Sequence, residues 1–196
     1  PDFCRCLLAQ TVADIGQITL DNDGTTSDVD LGDVDATLMK FALDANANED
    51  LEFMSITFEF ESSTDEAVDT DADADDFENL SLVCEGAMIA EASVSGDYIS
   101  FSVDSSLLDD TNPENYIDES QDINCEVRGD VVSGAGDSFS LDLDSTTDIV
   151  AVGQDKGYDV PVVDSYDDED VAVQAGAVSL EKADADDKSR VDMDDV

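Results

Sequence analysis

The stretch Thr37–Glu61, TLMKFALDANANEDLEFMSITFEFE, holds the two densest apolar alternations of the chain, and its reading decides the fold class. In its first half Met39, Phe41 and Leu43 share one face of an extended segment and Lys40, Ala42 and Asp44 the other, the period of two expected of a half-buried strand. In its second half Leu51 and Phe53 keep one parity, whereas Ile56, Phe58 and Phe60 take the other. A β-bulge near Phe53-Met54 reconciles them. The connector Ala45–Asp50, ANANED, is short and rich in turn formers, so the two strands form a hairpin or a tight crossover between sheets.

Outward from this pair the chain reads as short strands separated by turn signals. Gly16–Leu20 runs into the turn Asp21-Asn22-Asp23-Gly24, and Val29–Leu31 is a short edge strand. Downstream, Ser62–Glu78 is an Asp-rich loop, Leu80–Glu85 and Met88–Ala92 flank Gly86 as a hairpin, and Tyr98–Val103 alternates with Ile99, Phe101 and Val103 on one face. Ser105–Gln121, broken by Asn112-Pro113, is a long loop before Ile123–Val132 and a glycine-containing turn into Phe139, Leu141 and Leu143. Ile149–Val152, Val160–Val163, Val171–Val173 and Ala177–Leu180 complete the set. No segment carries a helical i, i+3, i+4, i+7 stripe. About ten short strands predict an all-β chain, a two-sheet sandwich of immunoglobulin-like or jelly-roll type. The predicted organisation is an extended N-terminal arm over residues 1–15, a sandwich over 16–181 and an acidic tail over 182–196.

The 196 residues include 52 acidic and 7 basic ones, a formal charge of −45, yet 41% are hydrophobic, so the acids coat a folded body rather than a disordered polyacid. Such a coat repels itself unless salt screens it, which points to a halophilic, saline setting with cations as its small partners. With no basic patch, nucleic acid and anionic membrane surfaces are poor partners, and no nucleic acid is expected. No stretch approaches the length of a membrane span, so no membrane insertion is expected. The start at Pro1 rather than Met reads as a processed, secreted chain. The four cysteines, Cys4, Cys6, Cys84 and Cys125, and the glycosylation sequon at Asn79 point to the cell surface or the extracellular space.

Several pieces in order resemble a β-sandwich module of secreted and surface-layer proteins of archaea and some bacteria. They are Leu38-Met39-Lys40-Phe41 leading to Leu51–Phe60, Asn79-Leu80-Ser81-Leu82, Gly136-Asp137-Ser138-Phe139-Ser140-Leu141, Thr147-Asp148-Ile149-Val150-Ala151-Val152-Gly153, and Val173-Gln174-Ala175-Gly176. The resemblance spans roughly Leu31 to Leu180 and rests on strand and turn patterns. It implies a non-catalytic module of the kind that recurs along long stalks. Here there is a single copy, so a long structure would be built by assembly.

The residue types that carry chemistry are few. Asp69, Asp71, Asp73, Asp75 and Asp76 form an alternating acidic run whose carboxylates could converge on Ca²⁺, a cation that takes about 6–8 oxygens. The run is not an EF-hand, because Ala74 stands where glycine is needed and Leu80 where the closing glutamate belongs. Asp21, Asp23 and Asp28 around Gly24 are a weaker candidate, and a solvated acidic loop is the competing reading of both. Catalysis is not expected. The chain has no histidine for a Ser-His-Asp or Cys-His pair, lacks Asp-Thr-Gly and Asp-Ser-Gly, and singles out no carboxylate pair for glycoside hydrolysis. Zinc on the four cysteines is disfavoured by their spacing. Two disulfide arrangements stay open: Cys84 with Cys125, or both paired with Cys4 and Cys6, which point the same way on a strand and do not easily bond each other.

Phe3–Ala13, FCRCLLAQTVA, contains no acid. As a strand it would place Cys4, Cys6, Leu8, Gln10 and Val12 on one face and Phe3, Arg5, Leu7, Ala9 and Thr11 on the other. The competing reading is an ordinary first strand folded back onto its own sandwich. The expectation is a donor strand lent to another copy, with Phe3, Cys4, Cys6, Leu8 and Val12 making the joint and a cysteine locking it to Cys84 or Cys125. The chain is then the homopolymeric subunit of an extracellular filament, tube or sheath. The alternative is a monomeric Ca²⁺-dependent adhesion or binding module.

Overall fold

The computed structural model describes residues 15–62, 72–103 and 115–175. The predicted arm, the strand over Ala177–Leu180 and the acidic tail lie outside them, apart from Ile15 at the root of the arm. The described chain is all β, a two-sheet sandwich of thirteen strands with no α-helix among the described residues. The strands are β1 Ile18–Asn22, β2 Val29–Asp30, β3 Ala36–Ala45, β4 Leu51–Ser62, β5 Phe77–Cys84, β6 Ala87–Ser95, β7 Tyr98–Ser102, β8 Tyr116–Ile117, β9 Asp122–Val131, β10 Ser138–Asp142, β11 Ile149–Gly153, β12 Val162–Asp164 and β13 Val171–Gln174.

The first sheet has the order β12-β1-β3-β9-β5-β6. In the second, β4 is central, flanked by β7 and β8 on one side and by β10 and β11 on the other, and β13 and β2 extend it beyond β10. The Thr37–Glu61 stretch therefore supplies one strand to each sheet. Its connector is the crossover, not the hairpin, and Phe41 of β3 meets Phe58 of β4 across the sandwich at 5.4 Å between ring centroids. The parity break in β4 is a bulge in its pairing with β11: Val150 opposes Ser55 and Ala151 opposes Phe53, leaving Met54 over. The extra residue turns Leu51, Phe53, Ile56, Phe58 and Phe60 all inward, and each is buried.

Two more bulges flank Gly129. Leu38 is the extra residue where β3 pairs with β9, and Asn79-Leu80 oppose Gly129 where β5 pairs with β9. Leu38 and Leu80 are both buried over that glycine, and a Cβ there would stand 2.8 Å from the Leu80 side chain and 3.3 Å from that of Leu38. Cys84 and Cys125, directly opposite in the β5–β9 ladder and fully buried, are joined by a disulfide. This corrects the arrangement that pairs them with Cys4 and Cys6. Their sulfurs are bonded to each other inside the core, so a cysteine of the arm has no partner there. The β5–β6 hairpin turns on Glu85 and Gly86, both at positive φ, a type I′ geometry that matches strand twist.

Candidate functional site

β6 changes sheets. Its first half, Ala87–Glu91, pairs with Cys84–Ser81 of β5, and its second half, Ala92–Ser95, pairs with Phe101–Tyr98 of β7. Below Ser81 the two sheets therefore part. Among the described residues no strand pairs with Phe77–Leu80 on the side away from β9, or with Ala92–Ser95 on the side away from β7. Directly opposed residues of an antiparallel pair share a face. Val94 opposes Ile99 and so faces inward, yet Val94 is 47% exposed where Ile99 is 0%. An inward side chain left open to solvent marks a seam that a further strand would close.

The seam is a groove of about 480 Å³. Phe77, Leu80, Ala92 and Val94 give it apolar walls, and Asp35, Glu91 and Asp130 put carboxylates on it. It is held in shape from behind by Phe77, whose ring lies 4.9 Å from Phe139 and 5.4 Å from Phe60 of the second sheet. At its polar side Asn79, at φ +53°, donates its amide N–H to Asp130 at 2.6 Å. That bond, with a second from the Asp35 backbone N–H, holds the Asp130 carboxyl below its usual range. Asn79, the sequon asparagine, is exposed, but its side chain is engaged in this contact.

The opposite pole carries the root of the arm. Gly16 donates its N–H to Glu49 at 2.7 Å, and Asn48 donates its side-chain amide to the Ile15 carbonyl at 2.9 Å. Glu49 is 2% exposed, and it also accepts the N–H groups of Asp155 and Lys156 and faces the Lys156 ammonium at 3.5 Å. The Gly16 N–H and then the Lys156 charge hold its carboxyl below the ordinary range against the opposing effect of burial. Gly153 makes the room, since a Cβ on it would strike that carboxylate. A connector glutamate thus anchors Gly16 at this pole of the sandwich.

Several of the acidic residues singled out by sequence make structural hydrogen bonds. Asp69 and Asp71 lie outside the described residues, as do Phe3, Cys4, Cys6, Leu8 and Val12. Asp73 caps the 3-10 turn Ala74–Asp76 by accepting the Asp75 N–H at 2.9 Å, while Asp76 accepts the Asp73 N–H at 3.0 Å and the Ser133 hydroxyl. Asp21 accepts the adjacent Asn22 N–H, and Asp28 ties the chain before β2 to Ala172 and Gln174 of β13. Asp23 stands on the turn beside Gly24. A different set comes together: Glu61, Asp142 and Asp168 have carboxylate oxygens within 4.8 Å of one another. Burial, then the hydrogen bond and charge of Asp142, raise the Asp168 carboxyl to about 6. Chemically, three carboxylates this close offer oxygen ligands to a hard cation. Sequence spacing gave no sign of them, because they come from β4, β10 and the approach to β13.

The chain matches no protein-family model and no curated protein. Solved structures similar to it include cohesins. A non-cellulosomal cohesin from the archaeon Archaeoglobus fulgidus is 13% identical, with a TM-score of 0.42 over 83% of this chain and 93% of that one. The seventh ScaB type I cohesin of Pseudobacteroides cellulosolvens is 11% identical, with a TM-score of 0.37 over 86% and 98%. The sixth cohesin of Acetivibrio cellulolyticus scaffoldin B, solved with a Cel5 dockerin mutant, is 10% identical, with a TM-score of 0.34 over 82% and 100%.

Proposed function

We propose that the chain is a structural subunit of an extracellular filament, tube or sheath, assembling in a saline medium by strand exchange between copies. The observation that carries this reading is the exposed inward face of Val94 beside Phe77–Leu80, which among the described residues pairs with β9 on one side only. An open sheet edge next to uncovered core residues is what a lent strand satisfies, with main-chain pairing for affinity and side-chain pockets for specificity. The acid-free segment Phe3–Ala13 is the strand to lend. The buried Cys84–Cys125 disulfide accords with an oxidising compartment, and the −45 charge requires salt for close approach of copies. The cluster Glu61, Asp142 and Asp168 favours a second reading, a Ca²⁺-dependent binding module, in which the same body works as a monomer.

Sedimentation velocity in molar KCl tests the proposal on the full chain and on a variant lacking Pro1–Ala13. The full chain is expected to sediment as polymers. The shortened chain is expected to remain a folded monomer that binds a synthetic peptide of residues 1–14. Polymers unchanged by the deletion, or a full chain that is monomeric at every salt concentration, would overturn the reading. Calcium-dependent binding by such a monomer would favour the second one.

A further inference from the structure

The acceptor and the donor lie at opposite poles of the sandwich. The seam sits where β5 pairs with Val131 and Asp130 of β9, at the level of Ala36 at the start of β3, because Ala36 pairs with Gly129. The arm leaves at the other end of the same strand, because Ala45 pairs with Ile18 and Asn48 holds the Ile15 carbonyl. The ten residues of β3 put about 30 Å between these two poles. Leu8 stands seven residues before Ile15 and Val12 three, so fully extended they reach at most about 25 Å and about 10 Å from it. Neither reaches the seam of its own subunit, whatever precedes Pro1. Both reach the seam of a copy stacked pole to pole.

We infer that the seam between Phe77–Leu80 and Ala92–Ser95 is the acceptor groove for Leu8–Val12 of a second copy, and that successive copies therefore join head to tail along the strand axis. This rests on the strand-exchange reading and fixes its site and polarity. The groove ends where β5 and β6 begin to pair, at Ser81 and Glu91. Its depth from Phe77 to Leu80 is about 10 Å, against about 13 Å from Leu8 to Val12, so the donor fills it and projects by about one residue. A donor whose body lies beyond the open pole has its C-terminal end at the mouth. It runs antiparallel to β5 and parallel to β6, with Leu8 deepest and Val12 near Val94. Charge agrees with this assignment. The groove carries Asp35, Glu91 and Asp130, and Leu8–Val12 brings no carboxylate to it. A different surface is used at each end of the molecule, so the contact is heterologous and each copy presents a fresh groove to the next.

Disulfide capture between separately made chains tests this. In a Cys4→Ser/Cys6→Ser background, one full-length chain carries Val12→Cys and the other Val94→Cys. The two are mixed in molar KCl under mild oxidation, while sedimentation records assembly in parallel. The expected product is a covalent heterodimer of the two chains, with little of either homodimer. Assembly without that cross-link overturns the groove assignment and leaves strand exchange elsewhere in place. A cross-link formed only when both substitutions are on one chain, and never between chains, also overturns it. Absence of assembly overturns both. A second variant, Val94→Glu, places a charge at the uncovered inward position near the mouth of the acceptor while remaining solvated in the free subunit. It is expected to raise the concentration needed for assembly at least about 100-fold with unchanged far-UV circular dichroism. Assembly at the unaltered concentration would contradict the inference.

Discussion

Replacing both buried cysteines, as Cys84→Ala/Cys125→Ala, removes a cross-link that closes a chain segment of 41 residues. In the chain-entropy description the lost constraint on the unfolded ensemble is worth about 4 kcal/mol for a loop of that length. Both side chains are fully buried, so deleting the sulfurs adds a packing loss of about 1 kcal/mol each. The expected loss is about 4–6 kcal/mol, a fall in melting temperature on the order of 10–20 °C for a domain of this size. Guanidinium unfolding in molar KCl, followed by circular dichroism, reads it directly. The slope against denaturant should also rise, because an unfolded chain without the cross-link exposes more surface. The native ladder around β5 and β9 is expected to survive. A double variant within about 1 kcal/mol of the parent, with an unchanged slope, would refute the loop-closure reasoning. The same would follow if chemical reduction of the parent left its stability unaltered.

Three further outcomes follow from the structure. Gly129→Ala sets a methyl group 2.8 Å from Leu80 and 3.3 Å from the Glu78 carbonyl oxygen, so urea unfolding should show a loss of about 1–3 kcal/mol, and a neutral substitution would contradict the packing described. Dialysis to about 10 mM salt lengthens the screening distance to about 30 Å, so assemblies should separate or unfold before any specific contact is altered; particles unchanged by dialysis would refute a screened carboxylate coat. Asp168, raised to about 6, binds its proton more tightly in the folded chain than its ordinary value of 3.8 allows, so its charge opposes folding above about pH 6 and is relieved as pH falls toward 4. Solvent screening at this exposed group holds that effect to about 1 kcal/mol or less. Glu49 acts in the other direction, because its lowered carboxyl stabilises the fold above 4.5 and loses that contribution as pH falls through its folded value. Thermal melts of Asp168→Asn and Glu49→Gln across pH 3–8 would separate the two, and identical pH profiles for both variants would contradict the assignments.

Much of the fold was legible because most strands alternate cleanly. Ile99 and Phe101, or Ile123, Cys125 and Val127, need only a period of two to be placed, and the parity break after Phe53 announced the bulge at Met54. The choice between hairpin and crossover for Thr37–Glu61 was not legible, because a six-residue polar connector suits both. The bulge at Leu38 was hidden because Leu38-Met39 satisfies either parity. Phe77 was assigned to an acidic loop, although it begins β5 and anchors an aromatic cluster with Phe60 and Phe139. Glu49 was missed for a physical reason. Its partners are backbone N–H groups 33, 106 and 107 positions away, and one more acid in a chain with 52 carries no signal. The seam was half visible. Val94 keeps the alternation of Ala92 past the predicted end of that strand, but only the change of sheet leaves it uncovered.

Electron microscopy of the intact chain in molar KCl tests the central claim most directly. The account predicts fibres of uniform width with an axial repeat of one sandwich, on the order of 40 Å given the length of β3 and its flanking turns. In each fibre one strand should bridge successive subunits at the β5–β6 seam. Dispersed single particles, or fibres whose subunits meet side by side with the seam empty, would contradict it.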